Sequence, residues 1–92
     1  MTKAKSKWHL YLVRCADDTI YTGISIDVSA RVTKHNSGKG AKYTSTRLPV
    51  SLIYSESLPD RVSAMKREFE VKRWGRKRKE SLARNFTTPK FR

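Results

Sequence analysis

The sequence holds a single cysteine, Cys15, so no disulfide can form within the chain, and this usage fits a reducing compartment. Cys15 lies in a strand-like run, where a buried, inert thiol is the ordinary role. No apolar run approaches the ~20 residues that a helix needs to cross a bilayer. No secretory-type apolar stretch follows the basic N-terminus. These absences lead us to expect a cytoplasmic protein. The chain is also short: 92 residues make one domain with a small core. No internal repeat is present. Acidic residues are scarce, eight Asp and Glu against 21 Lys and Arg, for a formal net charge of +13.

Hydrophobic residues make up 37% of the chain, below average, but their clustering points to a folded domain. The charge excess points to a polyanionic partner, either nucleic acid or an acidic membrane surface. The basic residues are not gathered on one amphipathic helix with an apolar face, so we expect nucleic acid and no membrane. DNA is the expected partner, RNA is left open, and the chain is expected to be a monomer. A ribosome-like charge background would look the same, so charge alone establishes no catalysis.

Residues 1–7 read as a loose basic lead-in, 8–85 as the domain and 86–92 as a loose tail. Residues 9–15 alternate, with His9, Tyr11, Val13 and Cys15 on one side and Leu10, Leu12 and Arg14 on the other. Thr19 to Ile24 is a second β-prone run, and Asp17-Asp18 favours a tight turn between them. A three-residue loop at 16–18 pairs Val13 with Tyr21 and Tyr11 with Gly23, placing both tyrosines on one face. A two-residue loop would part them. We expect the same-face register.

Ser25 or Asp27 can cap a helix over about 27–37. There Val28, Arg31, Val32 and His35 fall at i, i+3, i+4 and i+7, so Arg31 and His35 share a stripe with two core valines. Gly38 and Gly40 then open a basic loop that lacks the P-loop pattern. Phosphate contact by Lys39, Lys42 and Arg47, with Tyr43 beside them, is expected there, and a solvated loop is the plain alternative. A third strand spans about 50–56, with Leu52 and Tyr54 on one side and Ile53 and Ser55 on the other. Asp60 caps a helix over about 60–73. Its residues Val62, Met65 and Phe69 form one apolar row, and Ala64, Glu68 and Val71 the adjoining one. Gly75 ends it, and a short basic helix, 76–84, docks through Leu82.

A carboxylate on a core-facing row is costly unless it is paired or binds a metal. Taken singly, each polar residue has an ordinary reading. Glu68 can pair with Arg31, Tyr11 and Tyr21 can be core residues with wet hydroxyls, and His35 can close a helix end. In order and spacing they resemble the GIY-YIG nuclease family, in particular its small stand-alone, YhbQ-like bacterial members. The first signature tripeptide stands as His9-Leu10-Tyr11 and the second as Tyr21-Thr22-Gly23, nine residues apart. Arg31 follows Tyr21 by ten positions, and His35 comes a helical turn later. Glu68, in Ala64-Met65-Lys66-Arg67-Glu68, matches the family's metal-binding glutamate. The run from Gly23 to Thr44 is similar to the stand-alone group, and the likeness covers about residues 8–80. His9 replaces a signature glycine and Thr22 an isoleucine, and neither position supplies a catalytic side chain in the family scheme. No appended DNA-targeting domain accompanies the motifs.

The resemblance implies a metal-dependent DNA endonuclease of low sequence specificity, with a place in repair or recombination. Its implied catalytic set is Tyr11, Tyr21, Arg31, His35 and Glu68. Glu68 would hold Mg²⁺ or Mn²⁺, weakly without substrate, because magnesium keeps several waters and takes phosphate oxygens as ligands. Arg31 would clamp a phosphate oxygen. Tyr11 is the favoured general base and Tyr21 the group that orients water or phosphate, although the sequence also fits the reverse. A free phenol titrates near pH 10, so the base needs help from Arg31, His35, Lys42 or the metal. The implied fold is α+β: a three-stranded antiparallel sheet of order 2-1-3 flanked by helices, with two strands, a helix, a strand and two helices in sequence. The rival is a non-catalytic nucleic-acid-binding module on the same scaffold. A surface that serves a protein partner is a weaker third.

Overall fold

The computed structural model describes residues 7–86. The expected lead-in and tail therefore lie, but for Lys7 and Phe86, outside the described residues. Two strands come first, β1 (Trp8–Arg14) and β2 (Ile20–Ser25). Helix α1 (Val28–Asn36), the one-turn helix α2 (Lys42–Ser45) and strand β3 (Ser51–Leu58) follow. Helices α3 (Arg61–Lys72) and α4 (Arg76–Ala83) complete the domain. The sheet is antiparallel in the expected order β2-β1-β3. Helix α2 interrupts the stretch read above as a plain loop; four residues are too few to show a helical period.

The hairpin turn fixes the register. Asp18 N–H donates to the Cys15 carbonyl at 2.9 Å and Cys15 N–H to the Thr19 carbonyl at 2.8 Å. Asp18 takes the left-handed conformation, φ 72°, that closes a three-residue loop and that aspartate tolerates better than most residues. The Asp17 carboxylate accepts from Thr19 N–H at 3.1 Å and from its hydroxyl at 2.6 Å. Val13 consequently faces Tyr21 and Tyr11 faces Gly23, the same-face arrangement.

Each face of the sheet carries its own core. Tyr11, Val13 and Cys15 pack with Val50, Leu52, Val28 and Val32 beneath α1. Leu10 and Leu12 pack on the other face with Val71, Trp74, Ile53, Tyr54 and the docking residue Leu82. A bulge opposite Leu12 and Val13 shifts β3 by one residue. Leu52 and Tyr54, expected on one side, therefore enter opposite cores. Asp27, rather than Ser25, caps α1 by accepting from Ala30 N–H at 3.0 Å, and Asp60 caps α3 through Ser63 N–H at 2.8 Å. Helix α4 is tied to the hairpin turn by Arg76, which contacts both Asp18 and Glu80, and by Arg14, which reaches the same two carboxylates.

The apolar row Val62, Met65 and Phe69 does not face the core. These residues are 61%, 47% and 66% exposed. The rotation of α3 is set instead by Ala64 and Val71, both fully buried, and by Arg67. Arg67 Nε meets the Glu56 carboxylate of β3 at 2.7 Å, and Glu56 also accepts from the Tyr54 hydroxyl at 2.5 Å. Burial, then this carboxylate, push the Tyr54 phenol up to about 12. A helix buries one stripe, and the small Ala64 with the Arg67–Glu56 pair selects it. Equilibrium unfolding in urea checks this orientation. Leu10→Ala should cost about 2–5 kcal/mol, as deletions in a packed core do. Phe69→Ala should stay within about 0.5 kcal/mol, as at a solvent-facing site.

Candidate active site

Tyr11 enters the α1 face from the middle of β1, directly opposite Gly23. A Cβ at Gly23 would lie 2.6 Å from the Tyr11 hydroxyl oxygen, so the glycine of the second tripeptide is the seat of that phenol. His35 comes down from the last turn of α1 and is wholly buried. Its Nε2 lies 2.8 Å from the Tyr11 hydroxyl, and its Nδ1 lies 2.8 Å from the Thr44 hydroxyl on α2. A Cβ at Gly40 would sit 2.5 Å from His35 Nδ1 and 2.6 Å from its Cα, so the loop can close over the imidazole only with glycine there.

One order of the protons satisfies every member of this chain with partners among the described residues. The Thr44 hydroxyl donates to the Ala41 carbonyl at 3.2 Å, which leaves its oxygen to accept from His35 Nδ1–H. Nε2 then carries the lone pair, and the Tyr11 hydroxyl donates to it. The opposite tautomer would leave the Tyr11 proton without an acceptor among the described residues. Charge agrees with this order. Burial, then the charge of Arg31, disfavour the His35 imidazolium and lower its pKa from the ordinary value. Burial pushes the Tyr11 phenol well above its ordinary value; Tyr21 and Glu68 add to the rise and Arg31 opposes it.

Four of the residues singled out in the sequence thus bear on the Tyr11 hydroxyl: His35 by hydrogen bond, and Tyr21, Arg31 and Glu68 through their charges. The Tyr21 ring centre lies 6.4 Å from that of Tyr11 and 5.2 Å from that of His35. Arg31 precedes His35 by one turn of α1 and is half-buried. Glu68 arrives from α3, on the other side of the sheet edge, with its side chain 22% exposed. Its ion-pair partner is Lys72, at 3.3 Å, rather than Arg31.

Among the described residues no cluster of three or more His, Cys, Asp or Glu could hold a metal ion. Glu68 offers a single carboxylate. That donor set fits a hard cation that keeps most of its waters and completes its shell with phosphate, as magnesium does. It does not fit zinc, which takes three or four protein ligands.

The basic loop divides. Lys39 and Lys42 are exposed, and Tyr43 stacks on Tyr21 with ring centres 5.9 Å apart. Arg47 is already engaged. Its Nε meets Asp17 at 3.0 Å, it donates to the Tyr43 carbonyl at 2.6 Å, and its guanidinium lies 3.9 Å from the Tyr43 ring centre. Arg47 thus clips the loop to the hairpin turn. In the sequence Thr44 carries no role, and Gly40 only that of opening the basic loop. A threonine nine positions beyond a histidine carries no signal until α2 is known to fold back over it. Among the described residues no helix is long and apolar enough to cross a membrane.

Comparison with known proteins places this geometry. The family model of the GIY-YIG catalytic domain matches residues 7–81. A UPF0213 protein of Staphylococcus epidermidis is 51% identical over 73 residues, covering 79% of this chain and 89% of its own. One from Staphylococcus haemolyticus is 47% identical over 74 residues, covering 80% and 90%. The solution NMR structure of a UPF0213 protein from Bacillus halodurans is 42% identical, with a TM-score of 0.54 over 85% of this chain and 83% of that one. The solution NMR structure of a protein from E. faecalis is 35% identical, with a TM-score of 0.60 over 90% and 88%. The chain therefore belongs to the GIY-YIG family, among its UPF0213 members.

Proposed function

We propose that the protein is a metal-dependent endonuclease that hydrolyses DNA phosphodiester bonds with little sequence preference, in repair or recombination. The observation that carries the reading is the buried Tyr11–His35 hydrogen bond with its proton order. Binding alone needs charge, not a phenol whose proton already has a neutral acceptor.

In this reading a water gives one proton to the Tyr11 oxygen as Tyr11 gives its own to His35 Nε2. The hydroxide so formed bonds to phosphorus, and the bond to the leaving sugar oxygen breaks. His35 becomes an imidazolium, with Nδ1–H still donating to Thr44. No free tyrosinate is needed, which matters because burial makes one costly. Arg31 binds a phosphate oxygen and steadies the charge that grows there. Tyr21 orients the water. A Mg²⁺ or Mn²⁺ held by Glu68 would neutralise charge on the scissile phosphate and the leaving oxygen. Lys72 occupies Glu68 in the free protein, which supports weak metal binding before substrate arrives. Tyr11 is 2% exposed, whereas Tyr21 lines an open cleft, and this favours a second assignment in which Tyr21 meets the water.

A supercoiled-plasmid nicking assay with Mg²⁺ is the direct check. Wild type should cut, and Glu68→Ala and Arg31→Ala should each lose at least about 10²-fold in rate. Equal cutting by all three would mean a contaminant. Salt-steep DNA binding without cutting by any of them would favour the binding module. The pH dependence tests the base. A protonated His35 cannot accept, so the rate should fall as pH drops through a limb below the ordinary histidine value of about 6.5. His35→Ala should abolish that limb. If Tyr21→Phe costs far more rate than Tyr11→Phe, the second assignment replaces the first.

A further inference from the structure

An open cleft of about 310 Å³ runs along β2, lined by Ile20, Tyr21, Thr22, Tyr43, Lys72 and Lys79. β2 is an edge strand, so the cleft opens beyond the sheet. It touches the catalytic cluster at two places: Tyr21 belongs to both, and Lys72 pairs with Glu68.

The cleft holds unmet polar demand. Lys79 is half-buried beside Lys72, and no carboxylate is among the groups acting on it. Burial first, then the charge of Lys72, push its ammonium below the ordinary lysine range. Lys72 already has the Glu68 carboxylate at 3.3 Å, so the unmet charge is that of Lys79, a partly desolvated cation with a second cation beside it, which an anion in the cleft would relieve. Thr22, also lining the cleft, is 2% exposed, and its hydroxyl has no hydrogen-bond partner among the described residues. One face of Tyr43 is stacked on Tyr21, and Arg47 lies over its ring. The two rings, engaged with each other and with Arg47, join Ile20 in an apolar flank beside the lysines.

We propose that this cleft is a backbone subsite, in which Lys72 and Lys79 hold a phosphate of the nucleic-acid strand that flanks the one positioned at Tyr11 and Arg31. The proposal rests on the reading of the chain as acting on nucleic acid. It adds a reason for low sequence preference: the subsite grips phosphate and reads no base.

The test is binding of a short fluorescein-labelled DNA duplex to the full chain, followed by anisotropy across a salt series in EDTA. Lys79→Met should weaken binding by roughly five- to tenfold and lower the salt slope by about 1. Lys79→Arg should restore most of the affinity. Lys77→Met, which removes an equal charge from an exposed position on α4, should cost less than about twofold. Changing the duplex sequence should leave the Lys79 effect unaltered. Equal losses for Lys79→Met and Lys77→Met would overturn the proposal, even if the protein cuts DNA. A specific Lys79 effect in a protein that does not cut would sustain the subsite while the nuclease reading falls.

Discussion

Three buried polar side chains, Tyr11, His35 and Thr44, meet where β1, α1 and α2 come together. Each such group would cost about 1–3 kcal/mol if left without a partner. The surrounding structure is arranged so that none is. The three-residue hairpin turn brings Gly23 opposite Tyr11, which gives the phenol its room. Gly40 lets the loop close on the imidazole, and α2 presents the Thr44 oxygen at 2.8 Å from Nδ1. The Arg47–Asp17 pair then clips that loop to the turn that set the register. Hairpin, loop and helix end are thereby coupled through one hydrogen-bond chain, and an error in any of them would strand a buried donor.

The same chain accounts for the electrostatics. Burial raises the cost of both charged forms, the tyrosinate and the imidazolium, so the resting site is neutral at its centre. Charge is held at the margin: Arg31 and Glu68 from opposite sides, with Lys72 on Glu68. A neutral donor–acceptor pair ringed by unlike charges can move a proton without forming an isolated buried ion at rest. The basic surface expected from composition is resolved further by the fold. Arg14, Arg47, Arg67 and Arg76 have carboxylate partners and serve the scaffold. Lys39, Lys42 and Lys79 have no carboxylate partner among the described residues and are available to an anionic ligand.

Much of this was legible in the sequence, for identifiable reasons. Asp17-Asp18 between two β-prone runs sets a turn, and of the two loop lengths that fit it the expected three-residue one pairs Tyr11 with Gly23, as the structure does. Asp27 and Asp60 announce two helices. What stayed hidden depends on long-range contact. The orientation of α3 is decided by Arg67 reaching Glu56 on β3, so the Val62, Met65 and Phe69 row looked like core and is not. The bulge that separates Leu52 from Tyr54 has no local signal. Thr44 and Gly40 matter only because the loop folds back over His35, and Arg47 looked like a free phosphate contact because its partner Asp17 lies 30 residues away.

The whole site turns on a neutral His35 whose Nε2 lone pair is directed at the Tyr11 proton. Long-range ¹⁵N–¹H correlation spectra of the imidazole read this without any substrate or metal. At neutral pH the spectra should show a protonated Nδ1 and an unprotonated Nε2 for His35, with the tautomer lost in Thr44→Val and kept in Thr44→Ser. A proton found on Nε2, or an imidazolium at neutral pH, would contradict it.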